Sequence, residues 1–151
     1  MKNRFLYSLL FIAIALTSCK KEFPDDPLAV DKLSVSECKT KGDNSTAADP
    51  EYITIKTVDD YYLHFSHINS ILNCEPGKIT LAIEIKSDTI SVNETEESSL
   101  ANCVCPYDIE FRLGPLEYGI YPVKFQKGGL TFKEYSLNYN KSTDVRIDIQ
   151  P

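Results

Sequence analysis

From Tyr107 to Leu113 the chain changes polarity at every step, and the same two-residue period of faces extends back to Cys103. Cys103, Cys105, Tyr107, Ile109, Phe111 and Leu113 fall on one side, and Val104, Pro106, Asp108, Glu110 and Arg112 on the other. A period of two is the mark of a half-buried strand. Gly114-Pro115 is the turn signal that closes it. The pattern turns an aromatic and aliphatic face inward. It also brings two cysteines to the core side where the strand begins.

Similar short runs fill the rest of the chain. Ile53, Ile55 and Val58 alternate, and Tyr61 to Ile68 carries Leu63 and Phe65 on one face. Ile79, Leu81, Ile83 and Ile85 alternate strictly, and Ser87-Asp88 then leads to Ile90 and Val92, which reads as a hairpin. Asn93 to Asn102 is polar and acidic and reads as an exposed loop. Tyr121, Val123 and Phe125 follow, then the Lys127-Gly128-Gly129 turn, a run from Leu130 to Leu137, and Val145, Ile147 and Ile149. Strands every eight to twelve residues with polar turns predict an all-β fold, an antiparallel β-sandwich of immunoglobulin-like type. Leu116-Glu117-Tyr118-Gly119-Ile120-Tyr121 has the form of a tyrosine corner, with Tyr121 as the corner residue or as an ordinary core tyrosine.

The first eighteen residues read as a targeting segment. Lys2 and Arg4 precede an apolar run from Phe5 to Leu16 that is short for a bilayer span. The run ends in Leu16-Thr17-Ser18-Cys19, the form of a bacterial lipobox, with Cys19 as the thiol that takes the diacylglycerol. Three segments are therefore expected: a lipoprotein signal peptide over 1–18, a lipidated N-terminus and flexible tether over 19–36, and a β-sandwich domain over 37–151. Removing residues 1–18 leaves 133 residues and takes the net charge from −6 to −8. That acidity argues against nucleic acid as a partner. It argues equally against binding anionic lipid head groups, so the membrane is expected as a partner only through the N-terminal lipid.

With Cys19 assigned to lipid, Cys38, Cys74, Cys103 and Cys105 remain, an even number in an oxidising compartment. Cys103 and Cys105 lie two apart on a strand, with side chains parallel, so each should take a different partner. Two pairings survive: Cys38–Cys103 with Cys74–Cys105, or Cys38–Cys105 with Cys74–Cys103. The competing reading is a zinc or copper site built from His64, His67, Cys74, Cys103 and Cys105. C-x-C is a poor zinc spacing, and residues 64 and 67 should face opposite sides of a strand, with His64 outward. No metal or other cofactor is expected.

Candidate chemistry elsewhere is sparse. No serine lies in a G-x-S-x-G elbow, and no Gly-rich loop opens a helix. Asp59-Asp60 and Glu96-Glu97 read as solvated loop charge. Asp43-Asn44-Ser45 is too common a triplet to argue for calcium. Asp88-Thr89-Ile90 has the form of a bacterial O-glycosylation acceptor, which makes Thr89 a candidate glycan site.

The lipobox followed by Cys-Lys-Lys, then Ser-Glu-Cys-Lys at 36–39, His67-Ile68-Asn69, Asn73-Cys74 and C-x-C followed by Tyr107-Asp108, resembles a family of small Bacteroidetes lipoproteins. The resemblance covers roughly residues 34–125 and implies an immunoglobulin-like sandwich on the cell envelope. Members often resemble Asn-Cys-Cys where this chain has Asn73-Cys74-Glu75, so their pairing scheme does not transfer. The expectation is a non-enzymatic, outer-membrane-anchored binding or structural module for an unknown protein or glycan partner. The alternatives are a metal or redox lipoprotein using the Cys/His set, and an inhibitor or accessory subunit of an envelope enzyme or glycan-uptake complex, presenting the 93–102 loop.

Overall fold

The computed structural model describes residues 23–39, 49–97 and 102–149. Nine strands follow in order: β1 (Ala29–Val35), β2 (Tyr52–Val58), β3 (Tyr62–Asn73), β4 (Ile79–Lys86), β5 (Thr89–Glu96), β6 (Val104–Gly114), β7 (Gly119–Lys127), β8 (Leu130–Tyr139) and β9 (Asp144–Asp148). They form a five-stranded sheet, β1-β6-β3-β2-β9, and a four-stranded sheet, β4-β5-β7-β8. The alternating runs explain the layering. Ile53, Ile55, Leu63, Phe65, Phe111, Leu113 and Ile147 of the first sheet meet Ile90, Val92, Val123, Phe125, Leu137 and Tyr139 of the second in one buried core. The protein is an all-β, disulfide-stapled sandwich.

The pairings are antiparallel with one exception. β5 and β7 run parallel, with Ile90 opposite Val123. The intervening β6 crosses to the other sheet, so the chain re-enters the second sheet in its original direction.

The sandwich starts earlier than the expected tether allows. Residues 29–35 form an edge strand on β6, with Ala29 opposite Gly114 and Val35 opposite Ile109. Its alternation is broken because the register shifts between Asp31 and Ser34, and Lys32 there adopts a φ of 53°. Arg112 holds the strand: its Nε and Nη2 grip both Asp31 carboxylate oxygens, its Nη1 donates to Asp59 Oδ2 at 2.9 Å, and its guanidinium lies 4.4 Å from the Tyr62 ring centroid. A planar fork matched to a carboxylate fixes orientation as well as charge. This bond to Arg112, more than any other influence, depresses the Asp31 carboxyl pKa.

Two further expectations change. Asn93 to Glu96 is the second half of β5 rather than loop, and Glu94 points into the core. Cys103 precedes β6 and is exposed, so only Cys105 of the pair lies on the core face. The other turns fall where the sequence put them. Ser87 and Asp88, both at positive φ, make the two-residue connection of a tight hairpin. Asp59 and Asp60 likewise sit in a turn at positive φ. The Tyr121 hydroxyl donates to the Glu117 carbonyl four residues upstream, at 3.0 Å, which is the bond a tyrosine corner makes.

At Gly114 a side chain would not fit. A Cβ there would stand 2.8 Å from the Tyr61 carbonyl oxygen and 2.5 Å from the Tyr62 ring. The oxygen is main chain and already accepts from Leu116 N–H at 2.8 Å, so it cannot swing aside. Gly114→Ala is therefore expected to destabilise by about 1–3 kcal/mol, as overpacking does. An unchanged urea midpoint would show that this turn yields freely.

Candidate functional site

β3 places polar side chains inside the sandwich through a bulge. Its register against β6 shifts between His67 and Ser70, and Asn69 takes a φ of 59°. A regular strand would turn residues 67 and 70 to opposite faces. The extra residue lets both point inward, and Asn69 is left at the joint.

On the inner side, His67 sits between two acids. Its Nδ1 is 2.7 Å from Glu94 Oε1 and its Nε2 is 2.9 Å from Glu51 Oε1. Glu94, on β5, also accepts from the Ser70 hydroxyl at 3.0 Å. Lys127, at the end of β7, donates to Glu51 at 3.4 Å and to the Ile71 carbonyl at 3.1 Å. The imidazole lies stacked on Phe132, with ring centroids 5.7 Å apart. His67 is 3% exposed and Glu94 2%. While both acids are ionised, each ring nitrogen must carry a proton, so the ring is an imidazolium. His67 and Lys127 then offset Glu51 and Glu94 in charge.

On the other side, Asp108 organises the joint. It accepts from the Asn69 main-chain N–H at 3.0 Å and from Lys39 Nζ, which also donates to Asn69 Oδ1 at 2.9 Å. Asn69 Nδ2 donates to the Pro50 carbonyl at 3.0 Å. The Asp108 N–H donates to Ser36 Oγ at 2.9 Å, and Lys39 N–H to the Pro106 carbonyl at 3.0 Å, so residues 36–39 extend the β1 contact along β6. Cys38 pairs with Cys105 and Cys74 with Cys103, at Cα separations of 5.7 and 5.6 Å. Of the two pairings left open by the sequence, this is the second. The Tyr107 hydroxyl lies 3.1 Å from the Asn73 carbonyl and 3.3 Å from that of Cys74. The residues that stood out as motifs, from Ser36 to Asp108, thus converge on one end of the sandwich.

Comparison with protein families, curated proteins and solved structures returns no match for this chain.

Among the described residues, no group of His, Cys, Asp and Glu has the arrangement of a metal site. His64 is half-buried on the outer face, 3.9 Å from Glu110. Thr89 opens β5 beside the Ser87-Asp88 turn and is half-buried. Cys19, Asp43-Asn44-Ser45 and residues 98–101 lie outside the described residues. The inner array was not anticipated from sequence. A signal for it existed: a two-residue turn after an eight-residue β4 demands an eight-residue partner, which carries β5 through Glu94.

The array has a definite pH dependence. Burial by itself would lower the His67 pKa, but the bonds to Glu51 and Glu94 outweigh it and raise it above its ordinary 6.5. Burial would likewise raise Glu51, and its bonds to His67 and Lys127 reverse this and lower it below its ordinary 4.5. A raised histidine contributes stability that is complete below pH 6.5 and is lost as pH rises through the folded-state value. A lowered carboxyl contributes above 4.5 and loses its share as pH falls through its folded-state value. Both contributions are therefore complete between pH 4.5 and 6.5. Unfolding free energy should decline as pH rises above 6.5 and through the raised His67 value, and His67→Gln should flatten that limb. A parallel decline in His67→Gln would trace the effect to other groups.

Proposed function

We propose that this chain is a lipid-anchored envelope module that acts through its surface and not through catalysis. One observation supports the reading most directly: the residues that resemble a lipoprotein motif spend their bonds on one another. Ser36, Lys39, Asn69, Asp108 and Tyr107 tie β1, β3 and β6 together, and the four domain cysteines pair beside them. The buried His67 and Glu94 serve the same end by joining the two sheets. A general acid or base must reach its substrate within hydrogen-bond distance, and here both partners are enclosed. Of the donors a metal reading names, Cys74, Cys103 and Cys105 are engaged in disulfides and His67 at both nitrogens, while His64 lies apart on the outer face beside Glu110.

The reading is tested at Cys19. Expressed from its own start in a diderm bacterium, the wild-type chain should fractionate with membranes and begin at a diacylglyceryl-modified Cys19 by intact mass. Cys19→Ala should lose the lipid mass. A wild-type chain cleaved elsewhere and recovered without lipid would refute the anchor.

A further inference from the structure

The turns of the sandwich sort into two ends. Residues 59–61, 87–88, 115–118 and 140–143 connect strands at the end where β3 begins. Residues 75–78, 128–129 and both disulfides lie at the end where it finishes. β1 starts at the first end, with Ala29 opposite Gly114.

The chain ahead of β1 stays at that first end. Phe23 packs edge-on against Tyr61 with ring centroids 5.0 Å apart, Tyr61 stacks on Tyr118 at 5.4 Å, and Tyr118 meets Tyr139 at 5.1 Å. Tyr118 also donates to the Asp60 carbonyl at 2.7 Å, fixing the ring to the turn. The segment read as a free tether therefore touches the sandwich at Phe23 and pairs with it from Ala29. Only Lys20, Lys21 and Glu22 stand between Cys19 and Phe23. Four Cα steps reach about 14 Å at most. The sandwich is much longer: β3 alone has twelve residues and spans roughly 35–40 Å.

From these lengths we infer that the module sits end-on against the lipid surface, with the Phe23–Tyr61–Tyr118 end at the headgroups and the disulfide end facing away. This rests on lipid attachment at Cys19. Apolar exposure alone does not choose an end. Phe23, Leu28 and Ile120 are exposed at the first, but Val104 and Leu130 are exposed at the other. The short link makes the choice, and the aromatic cluster suits it, since rings with one apolar and one wet edge belong at a membrane interface. Asp59, Asp60, Asp88 and Glu117 at the same end oppose deep insertion into an anionic surface. The contact is one of tethering, with the far end left clear for a partner.

The experiment uses the mature chain from Cys19, with a maleimide lipid coupled to that thiol, in phosphatidylcholine nanodiscs containing a gadolinium-chelate lipid. Amide relaxation enhancement should be several-fold larger at 59–61, 87–88, 116–118 and 140–143 than at 75, 77, 128 and 129. Inserting twenty Gly-Ser residues after Lys21 should abolish the difference. Equal or reversed enhancement in the uninserted chain would overturn the orientation alone. Absence of lipid at Cys19 in the natively expressed chain would overturn the anchor reading and this inference with it.

Discussion

Glu94→Ala is expected to lower the unfolding free energy by about 3–5 kcal/mol, the range for removing one partner of a buried ion pair. The reason is what it leaves behind. His67 Nδ1 and the Ser70 hydroxyl both lose their acceptor, at a place where water does not reach. The remaining charges, His67, Glu51 and Lys127, no longer balance. Urea unfolding at pH 6, where the array is intact, gives the number. Glu94→Gln keeps an acceptor and should cost less, and Ser70→Ala, which removes one neutral bond, should cost only about 1 kcal/mol. If Glu94→Ala cost no more than Ser70→Ala, the array would be an incidental contact.

Opening the Cys38–Cys105 bridge by a double alanine substitution should cost about 4 kcal/mol, because it restores the freedom of a 67-residue loop to the unfolded chain. Cys74–Cys103 closes a 29-residue loop, so the same change there should cost about 0.7 kcal/mol less. Packing widens the gap. Cys105 is buried with Leu72, Tyr107 and Ile109 in a small second core, whereas Cys103 is exposed. Either loss is a large part of the 5–15 kcal/mol that holds a domain folded. Thermal and urea unfolding of the two double variants would check the order. A costlier loss at Cys74–Cys103 would contradict it.

Most of the sandwich was legible because its strands face water on one side, and alternation records that directly. β6 was readable from Cys105 to Leu113, and so were the β4–β5 and β7–β8 hairpins. What escaped had a physical reason each time. β1 hid behind Lys32, whose positive φ breaks the period of two. The end of β5 hid because its inward residue is a glutamate, and polarity alone suggests a loop. His67 and Ser70 share a face only through a bulge, which no pattern of single residues announces. The Arg112–Asp31 clamp joins residues eighty-one apart and needed the β1–β6 register to become visible. Cysteine spacing narrowed the pairing to two schemes but could not rank them, since that depends on where residues 36–39 run along β6.

The irregularity in β1 has a further consequence for neighbours. A sheet's outermost strand offers unpaired N–H and C=O groups to any other chain that comes alongside. The displaced register at Asp31–Ser34, with a lysine at its apex, interrupts that row of groups halfway along the strand. A second copy cannot zip onto it without first straightening the bend. The same residue that hides the strand from a periodicity search thus blunts this edge of the five-stranded sheet against pairing with another chain.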